Sequence, residues 1–233
     1  MGHLKRRGVS TSRMTSQPLL YCILDLGYVR EADAERVAAA LLAGGADILQ
    51  LRAKNQTLAL IEAVAQRIQP LCRAAGVPLV LNDHLALAAS LGTEGVHLGQ
   101  EDGTLAEARA LTGNRVLIGR STHSLAQARA ALAEGFDYIG FGPLFPTPTK
   151  AGRPAIGLDD VATMEREVGS RLPAFCIGGI HPGNLGQVLS AGARRIVMVS
   201  ALLQAPDIQA ATRGVASALQ AGGPAPVRPC ASS

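Results

Sequence analysis

Short, continuous runs of apolar residues alternate with longer alanine-rich segments eight times along this chain. Because the apolar residues within the runs are mostly consecutive, rather than at alternate positions, the runs are typical of parallel strands buried on both faces. They lie at residues 19–24, 47–52, 78–82, 95–99, 115–119, 136–142, 173–178 and 194–200. Each precedes a segment with helical spacing of its apolar residues, near 31–43, 57–75, 84–91, 104–112, 124–134, 158–167, 182–191 and 204–219.

Eight strand–helix units in a single stretch of chain predict an α/β fold, a single (β/α)₈ TIM barrel over residues 19–220. The alternative is an open, doubly wound sheet. Such a sheet would carry a glycine-rich turn after the first strand, and "LDLGYVREAD" offers only Gly27 there. Glycines that follow the helices, as in "RAAGVP" and "LAEGFD", supply the turn back to the next strand.

The two ends of the chain differ from the body in composition. Residues 1–18 and 221–233 lack core-forming composition and are predicted to be disordered; an organelle transit peptide is the less favoured alternative for the first segment. The formal net charge is +4, but five basic residues lie in these ends. Without them the body has about one more acid than base, so no nucleic-acid partner is expected.

Apolar runs and cysteines bear on the compartment. No apolar run reaches the roughly 18 residues of a membrane helix, and the basic start lacks the apolar centre of a secretory signal. The four cysteines form no C-x-x-C pair, which favours a reduced, cytoplasmic location. The sequence leaves open whether the chain forms a homo-oligomer.

Polar residues interrupt the apolar pattern where each predicted strand ends. In a barrel these ends meet on one face, which carries the active site. The residues concerned are Gln50, Arg52, Lys54, Asn82, Asp83, His97, Gln100, Glu101, Asp102, Ser121, Thr122, His123, Thr147, Thr149, Lys150, the "IGGI" segment and Ser200.

Several of these residues allow a structural role as well as a functional one. Asp83 and Asp102 suit a Mg²⁺ site, because Mg²⁺ takes one or two carboxylates plus phosphate oxygens, but either could cap a helix. His97 lies inside an apolar strand, which favours a core or supporting role over metal ligation. The bare backbone of "IGGI" suits a phosphate, although close packing would explain it too.

Lysine is rare in this chain. Of 22 Lys and Arg residues only three are lysines, namely Lys5, Lys54 and Lys150. The two in the body both lie on the predicted active face, and a compact ammonium on a flexible stem suits a mobile phosphate contact. Lys150 belongs to the proline-rich stretch "FPTPTKAGRP", which predicts a loop that closes over bound substrates and excludes water.

The ordered motifs "QLRAK", "ND" followed by "LALA", "GVHLGQED", "STHS", "GFGPLFPTPTK", "IGGI" and "VMVSAL" resemble those of the thiamine phosphate synthase family over residues 20–203. The resemblance implies Mg²⁺-dependent condensation of 4-amino-5-hydroxymethyl-2-methylpyrimidine diphosphate with 4-methyl-5-(2-hydroxyethyl)thiazole phosphate. The products would be thiamine phosphate and pyrophosphate, formed through a pyrimidine carbocation. The implied partners are these phosphorylated small molecules.

The resemblance also implies roles for individual residues. Those for the pyrimidine diphosphate are Gln50, Leu51, Arg52, Ala53, Lys54, Asn82, Ser121 and Lys150, of which Arg52, Lys54, Ser121 and Lys150 would be catalytic. Those for the thiazole phosphate are Thr147, Pro148, Thr149, Gly179, Val199 and Ser200, and those for Mg²⁺ are Asp83 and Asp102. The first strand ends in "ILDLG", where the family more often has Thr before Asp, and this weakens the case for a role of Asp25.

Two other functions fit some of the same residues. A thiazole tautomerase on the same fold would use a histidine such as His123 as a proton carrier, and "STHS" suits both activities. A phosphate-binding regulator without activity would tolerate loss of a metal carboxylate or of the loop lysine, and both are present here.

Overall fold

The computed structural model describes residues 19–147 and 154–222 of the chain. Within them, eight parallel strands form a closed barrel in sequence order, with β8 pairing to β1. The strands are β1 (Leu20–Asp25), β2 (Ile48–Arg52), β3 (Leu79–Asn82), β4 (Gly95–Leu98), β5 (Leu117–Thr122), β6 (Tyr138–Phe141), β7 (Ala174–Cys176) and β8 (Ile196–Met198). The predicted (β/α)₈ barrel is therefore confirmed.

Helices connect these strands and cover the barrel. Gly76 and Gly135 end two of them in the left-handed conformation, as the sequence indicates. The helices of the described residues are α1 (Ala34–Ala43), α2 (Leu58–Ala75), α3 (Leu85–Leu91), α4 (Leu105–Thr112), α5 (Leu125–Glu134), α6 (Val161–Met164), α7 (Pro182–Ser190), α8 (Ser200–Leu203) and α9 (Ile208–Gly222). The five residues Glu165–Gly169 continue α6 as a π-helical turn.

The last unit contains two helices where the sequence pattern predicts one near 204–219. Pro206 cannot continue α8, because its ring removes an N–H donor and clashes with the preceding turn. Asp207 then begins α9, and its Oδ1 accepts the Ala210 N–H at 2.9 Å. The break between the helices follows from these two neighbouring residues.

Strand β5 begins and ends later than the apolar run 115–119 predicts, since residues Gly113–Arg115 form a 3₁₀ turn. Its last residues are polar and yet buried. Ser121 lies against the barrel interior, and the Thr122 hydroxyl donates to the Gly140 carbonyl of β6 at 2.9 Å. Because these hydroxyls find partners within the fold, the strand continues past the point where apolar residues end.

The core has two layers, one between strands and helices and a smaller one inside the barrel. The inner layer consists of Tyr21, Ile23, Ile48, Val80, Tyr138, Phe175 and Val197. Phe175 packs edge-on against Tyr21 and Tyr138, with ring centroids 5.4 and 6.0 Å apart. Because the chain has no tryptophan, these three rings are the largest side chains inside the barrel. They lie beneath the carboxyl ends of the strands, in a layer that we call the barrel floor.

Gly119 makes room for one of these rings, so Gly119→Ala is expected to destabilise the barrel. A Cβ at position 119 would lie 2.0 Å from Cζ of Tyr138, which is fully buried. Overpacking of this kind costs about 1–3 kcal/mol in the free energy of unfolding. Urea denaturation would measure it, with Gly186→Ala in α7, where nothing lies within 4 Å, as the control. Equal stability of the two variants would contradict this packing.

The structure describes the lengths of the helices and three of the four cysteines. None of the helices in the described part of the chain has the length and apolarity that crossing a bilayer requires. Cys22, Cys72 and Cys176 are buried free thiols. The two segments predicted to be disordered lie outside the described residues, except for the last two residues of α9.

Candidate active site

A cavity of about 460 Å³ opens at the carboxyl ends of the strands. Its volume is in the range of pockets that hold small-molecule ligands. Ten residues predicted from the strand-end pattern or from the family resemblance line it: Gln50, Arg52, Asn82, His97, Ser121, His123, Thr147, Gly179, Val199 and Ser200. The fold therefore brings these residues to one mouth.

Arg52 reaches the cavity from the end of β2 and forms an ion pair with Asp25 of β1. The two residues are in register on neighbouring strands. The Asp25 side chain is 2% exposed and that of Arg52 is 14% exposed, and Asp25 Oδ1 also accepts the Gly27 N–H at 2.9 Å. A buried, doubly bonded carboxylate holds the guanidinium in one place. Asp25 thus has a supporting role that sequence reasoning discounted.

Lys54, Asp83 and Asp102 form a charged cluster at the rim, beside the residues that line the cavity. The Lys54 ammonium is in contact with Asp83 Oδ2, and the Asp83 and Asp102 carboxyl groups are within hydrogen-bonding range of each other. Two carboxylates this close repel each other unless a proton or a cation lies between them. Their oxygens are the donors that Mg²⁺ prefers.

The pKa values of these two carboxyl groups diverge. Burial raises the pKa of Asp83, the neighbouring Asp102 raises it further, and the Lys54 ammonium offsets part of the increase. Partial burial acts to raise the pKa of Asp102 as well, but the hydrogen bonds it accepts from Asp83 and from the Gly99 N–H outweigh this and lower it. Of the two carboxyl groups, Asp83 is therefore the first to take up a proton as the pH falls.

Asp83 also has an unusual backbone, with φ at 66° in the left-handed region. Its N–H donates to the His97 carbonyl at 2.9 Å and so extends the β3–β4 pairing by one residue. Non-glycine residues in this region carry strain and cluster at functional sites, although Asp tolerates the conformation better than most. The strained turn directs this carboxyl group towards Lys54 and Asp102.

The structure excludes helix capping by Asp83 or Asp102. The residue before α3 is His84, and no side chain caps that helix. At α4 the cap is Thr104, whose hydroxyl accepts the Glu107 N–H while the Glu107 carboxylate accepts the Thr104 N–H. The alternative that these carboxylates serve as helix caps is therefore wrong.

A chain of hydrogen bonds crosses the barrel floor from Gln50 to Ser121. Gln50 Nε2 donates to the Tyr21 hydroxyl at 2.8 Å, and the Tyr21 and Tyr138 hydroxyls are 3.2 Å apart. Tyr138 lies 3.2 Å from His97 Nδ1, and His97 Nε2 lies 3.0 Å from Ser121 Oγ. Burial raises the pKa of both tyrosines, so their hydroxyls stay neutral. His97 supports Ser121, as the sequence pattern favours.

Bare backbone lines the opposite side of the cavity, after β7. Gly178 and Gly179 have φ of 101° and 64°. A Cβ at Gly179 would lie 2.7 Å from Phe145 Cβ and 2.8 Å from the Pro146 carbonyl, so the loops after β6 and β7 pack without space for a side chain. Asn184 of α7 holds this turn by donating to the Gly179 carbonyl at 2.9 Å.

His123 also faces the cavity, where its Nδ1 lies 2.5 Å from the Gly142 carbonyl. Its N–H donates to Gln127 Oε1 at 2.7 Å, which ties the end of β5 to α5. The backbone contact at Nδ1 means that this nitrogen carries a proton. His123 is thereby oriented by the protein on both its backbone and its ring.

The remaining predicted residues occupy other positions. Leu51 and Ala53 bury their side chains in the outer core, so any ligand contact would come from their backbone. Pro148, Thr149 and Lys150 lie outside the described residues, as does most of the predicted closing loop. Within the described residues, no three His, Cys, Asp or Glu side chains cluster as metal ligands, so the rim offers a two-carboxylate site.

Comparison with known proteins identifies the family. A family profile described as thiamine monophosphate synthase matches residues 20–202. The chain belongs to this family. It is 49% identical over 189 residues to a thiamine-phosphate synthase from Thermus thermophilus, covering 81% of this chain and 90% of that protein. The corresponding Streptomyces avermitilis enzyme is 45% identical over 192 residues, covering 82% and 89%.

A solved structure agrees with this membership. Thiamine phosphate pyrophosphorylase from Pyrococcus furiosus superposes with a TM-score of 0.79 at 29% identity, covering 88% of this chain and 96% of that one. The relatives at 45–49% identity are named thiamine-phosphate synthases, which are transferases, and this chain is an enzyme of that class. The match spans all eight strands, and α9 and both chain ends lie outside it.

Proposed function

We propose that this member of the family condenses 4-amino-5-hydroxymethyl-2-methylpyrimidine diphosphate with 4-methyl-5-(2-hydroxyethyl)thiazole phosphate, using Mg²⁺, and forms thiamine phosphate and pyrophosphate. The observation that carries the proposal is that Arg52 lines a cavity of ligand size, while the Lys54–Asp83–Asp102 cluster lies just past the ends of the strands that border this cavity. Two cations and a pair of close carboxylates are what a metal-bound diphosphate requires.

The cationic residues stabilise the departing diphosphate. In a dissociative reaction, the C–O bond between the pyrimidine methylene and the diphosphate breaks first, and the electron pair leaves with the oxygen. Arg52 is held by Asp25, so its guanidinium is already placed when negative charge grows on the leaving group. Such preorganised charge is usually the largest single contribution to catalysis.

Asp83 and Asp102 fit Mg²⁺ because their carboxyl groups are in contact and leave one excess negative charge after Lys54 is counted. A bound Mg²⁺ would neutralise diphosphate charge and so make it a better leaving group. Lys54 can contact both the metal carboxylates and the diphosphate, since its side chain is half exposed and its ammonium already pairs with Asp83. When a diphosphate binds, its ammonium can contact the phosphate oxygens without a large movement.

The polar floor suits the pyrimidine ring. Gln50, Asn82 and Ser121 line the cavity, and the floor chain orients two of them from below. Amide and hydroxyl groups match the ring nitrogens and exocyclic amino group of an aminopyrimidine. The surrounding aromatic rings exclude water from the developing carbocation, which water would otherwise capture.

The thiazole phosphate fits the side formed by the loops after β6, β7 and β8. Thr147 offers a hydroxyl, while Gly179, Val199 and Ser200 offer backbone N–H groups and one hydroxyl along the cavity wall. Pro148 and Thr149 belong to the same proposal from the sequence alone. With the phosphate on this side, the thiazole nitrogen faces the pyrimidine methylene across the cavity. Its lone pair forms the new C–N bond, and no proton transfer is needed.

An omission assay tests the proposal. The protein is incubated with Mg²⁺ and both substrates, and then with either substrate left out, and products are separated by liquid chromatography. We expect thiamine phosphate only when both substrates are present. Conversion of the thiazole phosphate alone would instead favour a tautomerase that uses His123, and failure of every mixture would favour a regulator without activity.

Asp102→Asn is expected to raise the Mg²⁺ concentration that gives half-maximal activity by at least about tenfold, since even outer-shell changes cost that much in metal affinity. Asparagine keeps the shape and removes the charge. The control is Glu101→Gln, an exposed carboxylate one residue earlier in the same loop. Activity titrated with Mg²⁺ measures the effect. If both variants kept the parent midpoint, Asp102 would not be a metal ligand.

A further inference from the structure

We propose that Arg120 is a positioning residue that fixes the loop of residues 99–103, and with it the carboxylate of Asp102. The inference rests on the proposed function, because it concerns how the metal ligand is held. Arg120 lies on β5 in register with Leu98 of β4. Ser121 lines the cavity, and a Cβ at Gly119 would meet Tyr138 of the inner layer. The Arg120 side chain between them therefore lies on the outer side of the strand.

The guanidinium of Arg120 bridges two carbonyl groups that flank Asp102. Its Nη1 donates to the Gly103 carbonyl at 2.8 Å and its Nη2 donates to the Gln100 carbonyl at 3.1 Å. On its other side, the guanidinium lies 5.4 Å from the centroid of the Phe136 ring. A planar, forked cation stacked on an aromatic ring can hold two acceptors at once, which a lysine ammonium does less well.

A second contact ties the same loop to β5 in the opposite direction. Gln100 Nε2 donates to the Ser121 carbonyl at 2.5 Å. Arg120 of β5 thus bonds to the backbone of the loop, and Gln100 of the loop bonds to the backbone of β5. The arrangement links the position of Asp102 to that of Ser121, which lines the cavity.

The loop itself is folded around the Asp102 carboxylate. The Gly99 N–H donates to Asp102 Oδ2 at 2.7 Å, and a Cβ at Gly99 would lie 2.6 Å from that oxygen. Helix α4 does not depend on these contacts, because Thr104 and Glu107 cap it independently. Loss of Arg120 should therefore loosen the loop and leave the helix in place.

Hydrogen exchange of the metal-free protein tests the restraint without activity. In Arg120→Met, we expect the amides of residues 99–103 to exchange about tenfold faster, while those within α4 keep their rates. Arg120→Lys should fall between, because one ammonium can replace one of the two contacts. The control is Arg129→Met, which removes a guanidinium of α5 that bonds to the Glu167 carboxylate at 2.8 and 2.5 Å.

The Mg²⁺ concentration that gives half-maximal activity, here called the midpoint, tests the effect of Arg120 on function. Arg120→Met should raise it about tenfold, as expected when an outer-shell partner of a metal ligand is lost, with a smaller change in kcat. Unchanged exchange of residues 99–103, or an unchanged midpoint, would overturn the inference. If Asp102→Asn also left the midpoint unchanged, the metal site of the proposed function would fail; if only Arg120→Met did, this inference alone would fail.

Discussion

Arg52→Met is expected to lower kcat by a factor on the order of 10²–10³, the usual cost of removing one preorganised charge contact from a transition state. Arg52 lines the cavity and is held by a buried carboxylate, so its charge is in place before the diphosphate begins to leave. Arg52→Lys should recover only part of the rate, because it keeps the charge and loses the two-pronged geometry. Steady-state kinetics with each substrate varied in turn measures both variants.

Stability must be separated from catalysis in this test. Loss of Arg52 leaves the Asp25 carboxylate buried without its partner, which costs about 3–5 kcal/mol in the free energy of unfolding. The double variant Arg52→Met with Asp25→Asn removes that unpaired charge and should fold more stably while staying slow. An Arg52→Met protein that folds and keeps the parent kcat would show that this guanidinium has only a structural role.

Lys150→Ala is expected to lower kcat by a factor on the order of 10²–10³ as well, with little change in the KM for the thiazole phosphate. The basis is the sequence alone: a lysine in a proline-rich loop of a chain that otherwise favours arginine. Its charge should matter most as the diphosphate leaves. Lys150→Arg should restore part of the rate, since the planar fork does not reproduce a compact ammonium.

Lys5 provides the matched control for Lys150, because it is the lysine outside the family match. Lys5→Ala should keep the parent kcat and KM. Thermal unfolding of both variants should change little if each lysine is exposed to solvent. A Lys150→Ala enzyme with the parent kcat would mean that the loop lysine is a solvated charge, and the proposed closing loop would lose its catalytic role.

The order and type of the strands could be predicted because each contains a run of mostly consecutive apolar residues, and glycines follow several of the helices between them. Where prediction failed, local chemistry explains it. The end of β5 was missed because Ser121 and Thr122 are polar but bonded inside the fold. The division of the last helical segment followed from Pro206 and Asp207, which a pattern of apolar spacing does not weigh.

The convergence of the polar residues could also be predicted, because the carboxyl ends of barrel strands meet on one face. The residues that hold these side chains in place could not be predicted, since their contacts depend on the register between strands. Asp25 pairs with Arg52 because the two residues are opposite each other on β1 and β2. Arg120 of β5 is opposite Leu98, the last residue of β4, and it can therefore bond to the loop that follows β4. One signal was available: a buried arginine on a central strand requires a carboxylate, and Asp25 ends the neighbouring strand.

A ³¹P NMR time course with both substrates and Mg²⁺ tests the proposed condensation directly. We expect thiamine phosphate and pyrophosphate to accumulate in equal amounts and both substrates to disappear at the same rate, and we expect chelation of the metal to stop the reaction. Loss of the thiazole phosphate without release of pyrophosphate, or product formation at full rate after chelation, would contradict the proposed function.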